Sequence, residues 1–347
     1  MSGYPERGRR TNIAGRMDDG DGNEMRDDLL PCLRCPVTGS PLRTGGPDGG
    51  LVSEDGSRSY RILGGAPVLI DFERSIVPPP GGESGAILQR QAARRKPPLA
   101  WLMSGSRRHG SGQNVTRMVE LIGGTEATPA RLLVIGAGSS SPEVAALAAD
   151  PRVELVATDV QPGTDVSVIC DAHELPFADG TMDGVMSQWV LEHVVDPERV
   201  VREIHRVLKP DGIVYSEVPF MQQVHFGRFD FNRWSPSGHR RLYRWFDEIS
   251  MSIVSGPGMA LSWSFVWFLK SFPSREGGLS KWLGRFGRVL TLPFLLCDRW
   301  LIRRPGSWDA ASGTSFTGRR REEPVEDAEI VASYRGLNDY YLSPESD

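Results

Sequence analysis

Residues 131–160 read RLLVIGAGSS SPEVAALAAD PRVELVATDV, and this stretch decides the fold class. Residues 132–137 read as a strand. The glycines of Gly136-Ala137-Gly138 follow it, and a helix over 142–149 carries Pro142 in its first turn. Residues 154–160 read as a second strand. Downstream the alternation continues with strands at 166–170 and 184–190, then a helix at 197–208. In that helix Val200, Val201, Ile204, Val207 and Leu208 recur at helical spacing and make one apolar face. Lys209-Pro210-Asp211-Gly212 stops it, and a fifth strand follows at 213–218. Strands alternating with helices of this length predict an α/β fold with a doubly wound, mostly parallel sheet.

The composition fits that reading. The chain has 347 residues, 39% of them hydrophobic and 24% charged, ordinary for a globular protein with a buried core. A net charge of −4 and a pI near 5.9 give no reason to expect a nucleic-acid partner. Four cysteines, Cys32, Cys35, Cys170 and Cys297, are too few for a disulfide scaffold and fit reduced thiols of a cytoplasmic protein. No apolar signal region opens the chain, and the runs at 259–269 and 289–297 fall short of the ~20 residues of a membrane span. Residues 1–27 read as a disordered tail. Residues 28–75 carry the Gly and Asp-Gly punctuation of short strands, ending in a buried strand at 66–70. Residues 76–100, with Pro78-Pro79-Pro80-Gly81-Gly82, read as a linker. Helices are expected near 86–95 and 113–122.

The chemistry starts at the glycine loop. Glycines where a strand turns into a helix let a ligand approach the backbone, and the helix N-terminus adds partial positive charge. The next strand carries Asp159, 21 residues after Gly138, and an acid there accepts from the two hydroxyls of a ribose. Asp171-Ala172, Leu175-Pro176-Phe177, Asp179-Gly180-Thr181-Met182-Asp183, Val190-Leu191-Glu192-His193 and Leu208-Lys209-Pro210-Asp211-Gly212 follow in that order.

This order and spacing resembles the class I, Rossmann-like S-adenosylmethionine-dependent methyltransferases, strongly over residues 131–250. The resemblance implies a seven-stranded sheet and S-adenosylmethionine as cofactor. It sets Gly136, Ala137 and Gly138 under the methionine part and Asp159 on the ribose, with Val160 beside the adenine. Asp171 would accept from the adenine amino group, with Ala172 contributing backbone, and Gln188 would line the wall near the sulfonium. Two positions depart from the pattern: Ser140 replaces a third glycine and Val134 an acid. Hydroxyls of Ser139 or Ser140 would then hold the amino-acid end of the cofactor. Glu192 and His193 are expected to have structural roles, and His173 and His205 to lie at the surface without one.

Residues 33–42, with 51–53 and 65–69, resemble the small zinc-ribbon-like proteins that activate methyltransferases. Cys32 and Cys35 have ligand spacing, but Thr38 stands where a partner cysteine would be. Two thiolates do not complete a tetrahedral site, so no metal is expected and the module reads as metal-free. After the fifth strand, His225, Asp230, Arg233 and His239 lie in a loop expected to face the acceptor. His225 is the candidate catalytic base, with a structural network of His225, Asp230 and Arg233 as the other reading. An insertion at about 260–310 brings Trp263, Phe265, Trp267 and Phe268 to the same pocket and precedes a last strand expected at 329–336.

Within the insertion, Lys281, Arg285, Arg288, Arg299 and Arg303 share one side of a helical wheel over 281–304, which Pro293 is expected to kink or break. Two readings stay open for it: peripheral contact with the inner membrane surface, or a lid or dimer-packing helix pair. The expected function is methyl transfer to a small-molecule or sugar- or lipid-linked acceptor, in envelope polysaccharide or secondary metabolism. The rivals are a catalytically degenerate scaffold of the same fold and a nucleotide-dependent oxidoreductase.

Overall fold

The computed structural model describes residues 25–79, 109–138, 141–275 and 277–337. Most of the tail and linker, the helix near 86–95, Ser139 and Ser140 lie outside the described residues. The chain divides into two compact units: residues 1–93 with 124–181, and residues 94–123 with 182–347. The first helix, α1 (Ser111–Ile122), belongs to the second unit.

In the first unit, β1 (Leu42–Thr44), β2 (Leu51–Ser53) and β3 (Ser59–Tyr60) form a small antiparallel sheet. Asp55 shapes the β2–β3 turn, its carboxylate accepting from the hydroxyl of Ser53 at 2.5 Å and the backbone N–H of Ser57 at 3.0 Å. β4 (Ile62–Leu63) and β5 (Ala66–Leu69) make a hairpin whose two turn residues, Gly64 and Gly65, have φ of 56° and 80°. Two successive positive φ values are what a tight hairpin turn of matching twist requires. β6 (Ala130–Ile135), β7 (Val153–Asp159) and β8 (Val168–Cys170) follow, with helix α2 (Pro142–Ala148) capped by the Ser141 hydroxyl, which accepts from the Val144 N–H at 3.1 Å. The strand order is β4-β5-β8-β7-β6, parallel except for the β4–β5 hairpin. Val68 of β5 pairs with Ile169 of β8, and Ala66, Val68, Ile70, Val166 and Ile169 form one buried cluster. Residues 28–75 therefore share core and sheet with the glycine-loop segment.

The second unit contains β9 (Met182–Gln188), α3 (Pro197–Val207), β10 (Leu208–Pro219), α4 (Pro236–Leu242) and β11 (Phe246–Ser255). Helices α5 (Pro257–Lys270), α6 (Gly278–Leu301) and α7 (Gly306–Asp309) come next, then β12 (Gly313–Arg320) and α8 (Asp327–Ala332). The strand order is β9-β10-β12-β11, with β9 and β10 parallel and the other neighbours antiparallel. Val200, Val201, Ile204 and Val207 of α3 are buried, as their spacing predicts.

The expected α/β fold with mostly parallel strands is present, and β6 to β12 make the seven strands implied for the segment after residue 100. β4 and β5, from the N-terminal segment, add two more beside β8. No strand forms at 329–336: residues 329–332 belong to helix α8 and 333–336 are irregular, and the last strand among the described residues is β12. β12 reads GTSFTGRR and escapes recognition because large side chains press on its glycines: a Cβ on Gly313 would lie 2.4 Å from the Trp189 ring. Helix α6 also runs through Pro293 without breaking. Proline removes one N–H from the ladder, and α6 is held across that point by Thr291 and Asp298 bonds to α5.

Candidate functional site

In the first unit β6, β7 and β8 lie side by side and parallel, so their carboxyl ends bring the glycine turn, Asp159 and Asp171 to one edge. Gly136 has φ of 78°, a left-handed conformation that favours glycine. It and Ala137 donate to the Thr158 carbonyl at 2.8 and 2.9 Å. Gly138 donates its N–H to Asp159 Oδ2 at 2.8 Å, and a Cβ at Gly138 would lie 2.6 Å from that oxygen. Asp159 Oδ1 accepts from the Gln161 N–H at 2.9 Å. Burial raises the Asp159 carboxyl above its ordinary range against these backbone bonds. A carboxylate has about four acceptor positions, so these two bonds leave room for two hydroxyls.

Asp171, just beyond β8, is buried. Its Oδ1 accepts from the His173 backbone N–H at 3.0 Å and sits 2.6 Å from His173 Nδ1; its Oδ2 accepts from the Ser75 hydroxyl. Burial pushes this carboxyl up, but the bonds to His173 and Ser75 hold it below the usual range. His173, expected at the surface without a role, is therefore part of the Asp171 site. Ala137 and Ala172 are buried and Val160 is half-buried.

In the second unit Gln188 ends β9 and its side-chain amide donates to Ser111 Oγ and Glu217 Oε1, both at 3.0 Å. Glu217, fully buried on β10, also accepts from the hydroxyls of Ser111 and Tyr215 at 2.5 Å and from Trp189 Nε1 at 2.7 Å. Trp189 has φ of 56°, a costly conformation for a bulky residue that persists where surrounding structure over-determines it. Neither Trp189 nor Glu217 stood out in the sequence. A strand-end carboxylate in an apolar run, Val214 to Val218, was the available signal.

The loop after β10 holds His225 against a second cluster. Its backbone N–H donates to Asp230 Oδ2 at 2.8 Å, and its Nδ1 lies 3.4 Å from the same oxygen. Arg233 grips Asp230 through two nitrogens and donates to the carbonyls of Gln222 and Gln223 at 2.8 and 3.1 Å. Burial works to raise the Asp230 carboxyl, but Arg233 and the His225 N–H hold it at about 2. His225 Nε2 and His193 Nε2 each lie 3.8 Å from Oε1 of the fully buried Glu192. His193 Nδ1–H donates to the Phe229 carbonyl at 2.8 Å, which leaves Nε2 as the acceptor of the neutral ring. Burial lowers His193 to about 4 and lowers His225 below the ordinary imidazole value. One atom each from Glu192, His193 and His225 lie within 4.8 Å of one another, a set that fits proton exchange or a divalent cation. Trp263 of α5 places its ring 6.1 Å from that of His225, and Gln223 Nε2 donates to Ser264 Oγ at 3.0 Å. The loop and α5 thus touch at His225 and Gln223.

His239 is a correction. It is fully buried on α4, its ring nitrogens 3.0 Å from Thr314 Oγ1 and 3.3 Å from Ser216 Oγ, because Tyr243 and Phe316 pack over it. His205 is another, half-buried with Nε2 bonded to the Arg321 carbonyl at 2.8 Å.

Residues 133–216 match the family model of a methyltransferase domain. A demethylmenaquinone methyltransferase of Symbiobacterium thermophilum is 40% identical over 62 residues, 17% of this chain and 25% of that protein. The ubiquinone/menaquinone biosynthesis C-methyltransferase UbiE of Desulfotalea psychrophila is 48% identical over 95 residues, 26% of this chain and 38% of that protein. The matched stretch therefore spans well under half of either relative. Among solved structures, Haemonchus contortus phosphoethanolamine N-methyltransferase 2 in complex with S-adenosyl-L-methionine is 14% identical with a TM-score of 0.40, covering 70% of this chain and 58% of that one.

Proposed function

We propose that this chain, whose residues 133–216 match the family model of a methyltransferase domain, is a class I S-adenosylmethionine-dependent methyltransferase of a small or lipid-linked acceptor with a polar reacting end and an apolar body. One observation carries the reading: the glycine turn, Asp159 and Asp171 follow three adjacent parallel strands at one edge. The cofactor, when bound, supplies a methyl carbon activated on a sulfonium. In this proposal the remaining acceptor positions of Asp159 take the two ribose hydroxyls, and Asp171 takes the adenine amino group. Val160 and Ala172 flank the base. The backbone of Gly136, Ala137 and Gly138 runs beneath the amino-acid end, with Ser139 assigned there, and Gln188 to the wall near the sulfonium, by the sequence resemblance alone.

Methyl transfer is an in-line displacement, so the protein contributes mainly orientation and the exclusion of water. A neutral His225 receives the acceptor's proton at Nε2. Its Nδ1 edge is held toward Asp230, which favours the tautomer with Nε2 unprotonated. Envelope-polysaccharide or secondary-metabolite acceptors fit the polar His225 side and the aromatic Trp263 side of this loop. Titrating the chain and its Asp159→Ala variant with S-adenosylhomocysteine by calorimetry tests the reading. The variant should bind at least tenfold more weakly, and equal affinity in both would overturn the assignment.

A further inference from the structure

The α5–α6 hairpin buries the wrong face of α6 for a protein surface in water. Its buried positions are Ser280, Gly284, Gly287, Thr291, Leu295 and Asp298, mostly small or polar. Its outward positions include Leu279, Trp282, Val289, Leu296 and Trp300, each more than half exposed, with Phe286, Leu290 and Phe294 between them. A helix packed against a soluble core buries its large apolar residues and exposes the small and polar ones. Here the pattern is reversed, and it matches helix pairs that face lipid, where small residues and interhelical hydrogen bonds make the contact.

The α5–α6 contact has that chemistry. A Cβ on Gly258 would lie 2.0 Å from the Phe294 carbonyl oxygen, so the backbones touch there. Ser262 and Thr291 share a hydrogen bond of 2.6 Å. Asp298 closes the joint by accepting from the backbone N–H groups of Gly258 and Met259 at 2.7 and 2.9 Å. Its charge is thereby turned inward, onto the positive end of α5.

Charge selects the occupant of the outer face. Lys281, Arg285, Arg288 and Arg299 are exposed on α6, with Arg303 just beyond it, and Asp298 is the only acid in α5 or α6. On the helical wheel the basic row flanks the apolar face, where long side chains reach lipid headgroups while their stems stay on apolar surface. Trp282 and Trp300 provide the aromatic residues favoured at that depth. A second copy docking by a two-fold axis would set this unbalanced basic row against itself. Within the described residues no helix is long and apolar enough to cross a membrane. We propose that the hairpin seats its outer face in the interfacial layer of an anionic lipid leaflet, lying in the membrane plane. The proposal uses none of the residues at the ends of β6 to β8, so it stands or falls separately from methyl transfer.

Co-sedimentation with phosphatidylcholine vesicles, with and without phosphatidylglycerol, tests it. The full chain should pellet with the phosphatidylglycerol vesicles at low salt, weakly with phosphatidylcholine alone, and less as salt rises. Arg285→Glu with Arg288→Glu should lower the partition coefficient about tenfold or more. Trp282→Ser with Val289→Ser should lower it at every salt concentration; circular dichroism and melting curves report whether each variant is folded. Should a variant not fold, the lipid and salt dependence of the unaltered chain decides alone. Failure of the unaltered chain to pellet with anionic vesicles overturns the proposal. So does partition that folded variants leave unchanged, or a dimer that Trp282→Ser dissociates.

Discussion

The backbone N–H of His225 donates to Oδ2 of Asp230 at 2.8 Å, and the same oxygen lies 3.4 Å from His225 Nδ1. One carboxylate thus fixes both the main chain and the ring edge of this histidine, while Arg233 holds the carboxylate. Because burial keeps His225 below the ordinary imidazole pKa, the ring is neutral at neutral pH.

His225→Ala should therefore lower the rate of methyl transfer by about a hundredfold, the usual scale of a positioned base, with little change in cofactor affinity. Asp230→Asn should cost less, because the N–H contact can persist. For the unaltered enzyme the rate should be level through neutrality and fall only below the ordinary imidazole value of about 6.5. Rate profiles against pH check all three. If His225→Ala keeps both rate and profile, the proton leaves to water and His225 is structural.

Gly138→Ala tests the cofactor edge. Its new Cβ would lie 2.6 Å from Asp159 Oδ2, too close for any real contact, and would displace the carboxylate that Gly138 itself anchors. The expected result is at least a tenfold loss of S-adenosylhomocysteine affinity with a nearly unchanged melting temperature. Calorimetry beside thermal unfolding separates this from a folding defect, and unchanged affinity would remove the carboxylate from the ligand's reach.

His239 gives a pH prediction for stability. Burial drops its folded pKa from 6.5 to about 3, so the folded chain refuses a proton that the unfolded chain accepts. Its contribution is complete above the unfolded value of 6.5 and is lost as pH falls toward 3. His193, lowered to about 4, acts in the same direction. By about pH 4 the loss attached to His239 should be on the order of 3 kcal/mol. His239→Gln retains a polar side chain for Thr314 and Ser216 without titrating. Its urea midpoint should fall less steeply between about pH 6.5 and pH 4 than that of the unaltered chain. Parallel curves would mean that another group sets the acid limb.

The strands of the glycine-loop segment were legible because each is a compact apolar run with a glycine or acid at its end. Three features were not, each for a physical reason. β12 is built from Gly, Ser and Thr, and large neighbours such as Trp189 fill the space above its glycines. Residues 281–304 left two readings open, contact with a membrane surface or a lid or dimer-packing helix pair; only the burial of Ser280, Gly284, Gly287 and Thr291 shows that the apolar side faces out. His239 sits among polar residues in sequence, and nothing local announces that Tyr243 and Phe316 will enclose it. At the candidate site Asp159 drew attention by its distance from the glycine loop and Asp171 only through the family resemblance. Ser75, which bonds Asp171 from 96 positions away, could not.

Glu217 supplies the last test, because its bonding can be counted. Its Oε1 accepts from Ser111 and Tyr215 hydroxyls at 2.5 Å and from Gln188 Nε2 at 3.0 Å; its Oε2 accepts from Trp189 Nε1 at 2.7 Å. Glu217→Gln keeps the volume but turns one acceptor into a donor. The hydroxyls of Ser111 and Tyr215 can rotate to accept, whereas the indole N–H of Trp189 and the amide N–H of Gln188 only donate in these contacts. With the amide oxygen toward Trp189, the amide nitrogen opposes Gln188; with the oxygen toward Gln188, it opposes Trp189. Unless the Gln188 amide turns over, one donor–donor conflict remains either way, in a fully buried site. Charge-assisted bonds contribute about 1.5–3 kcal/mol each, so the variant should lose roughly 3 kcal/mol or more. Trp189, held at a φ of 56° and bonded to Glu217 through its indole, should then relax toward an ordinary conformation. Urea unfolding reads the first effect, and Trp189 fluorescence, with the other tryptophans replaced by Phe, reads the second. A loss below about 0.5 kcal/mol with an unmoved emission would show that the network tolerates a neutral amide and that Glu217 is not what fixes Trp189.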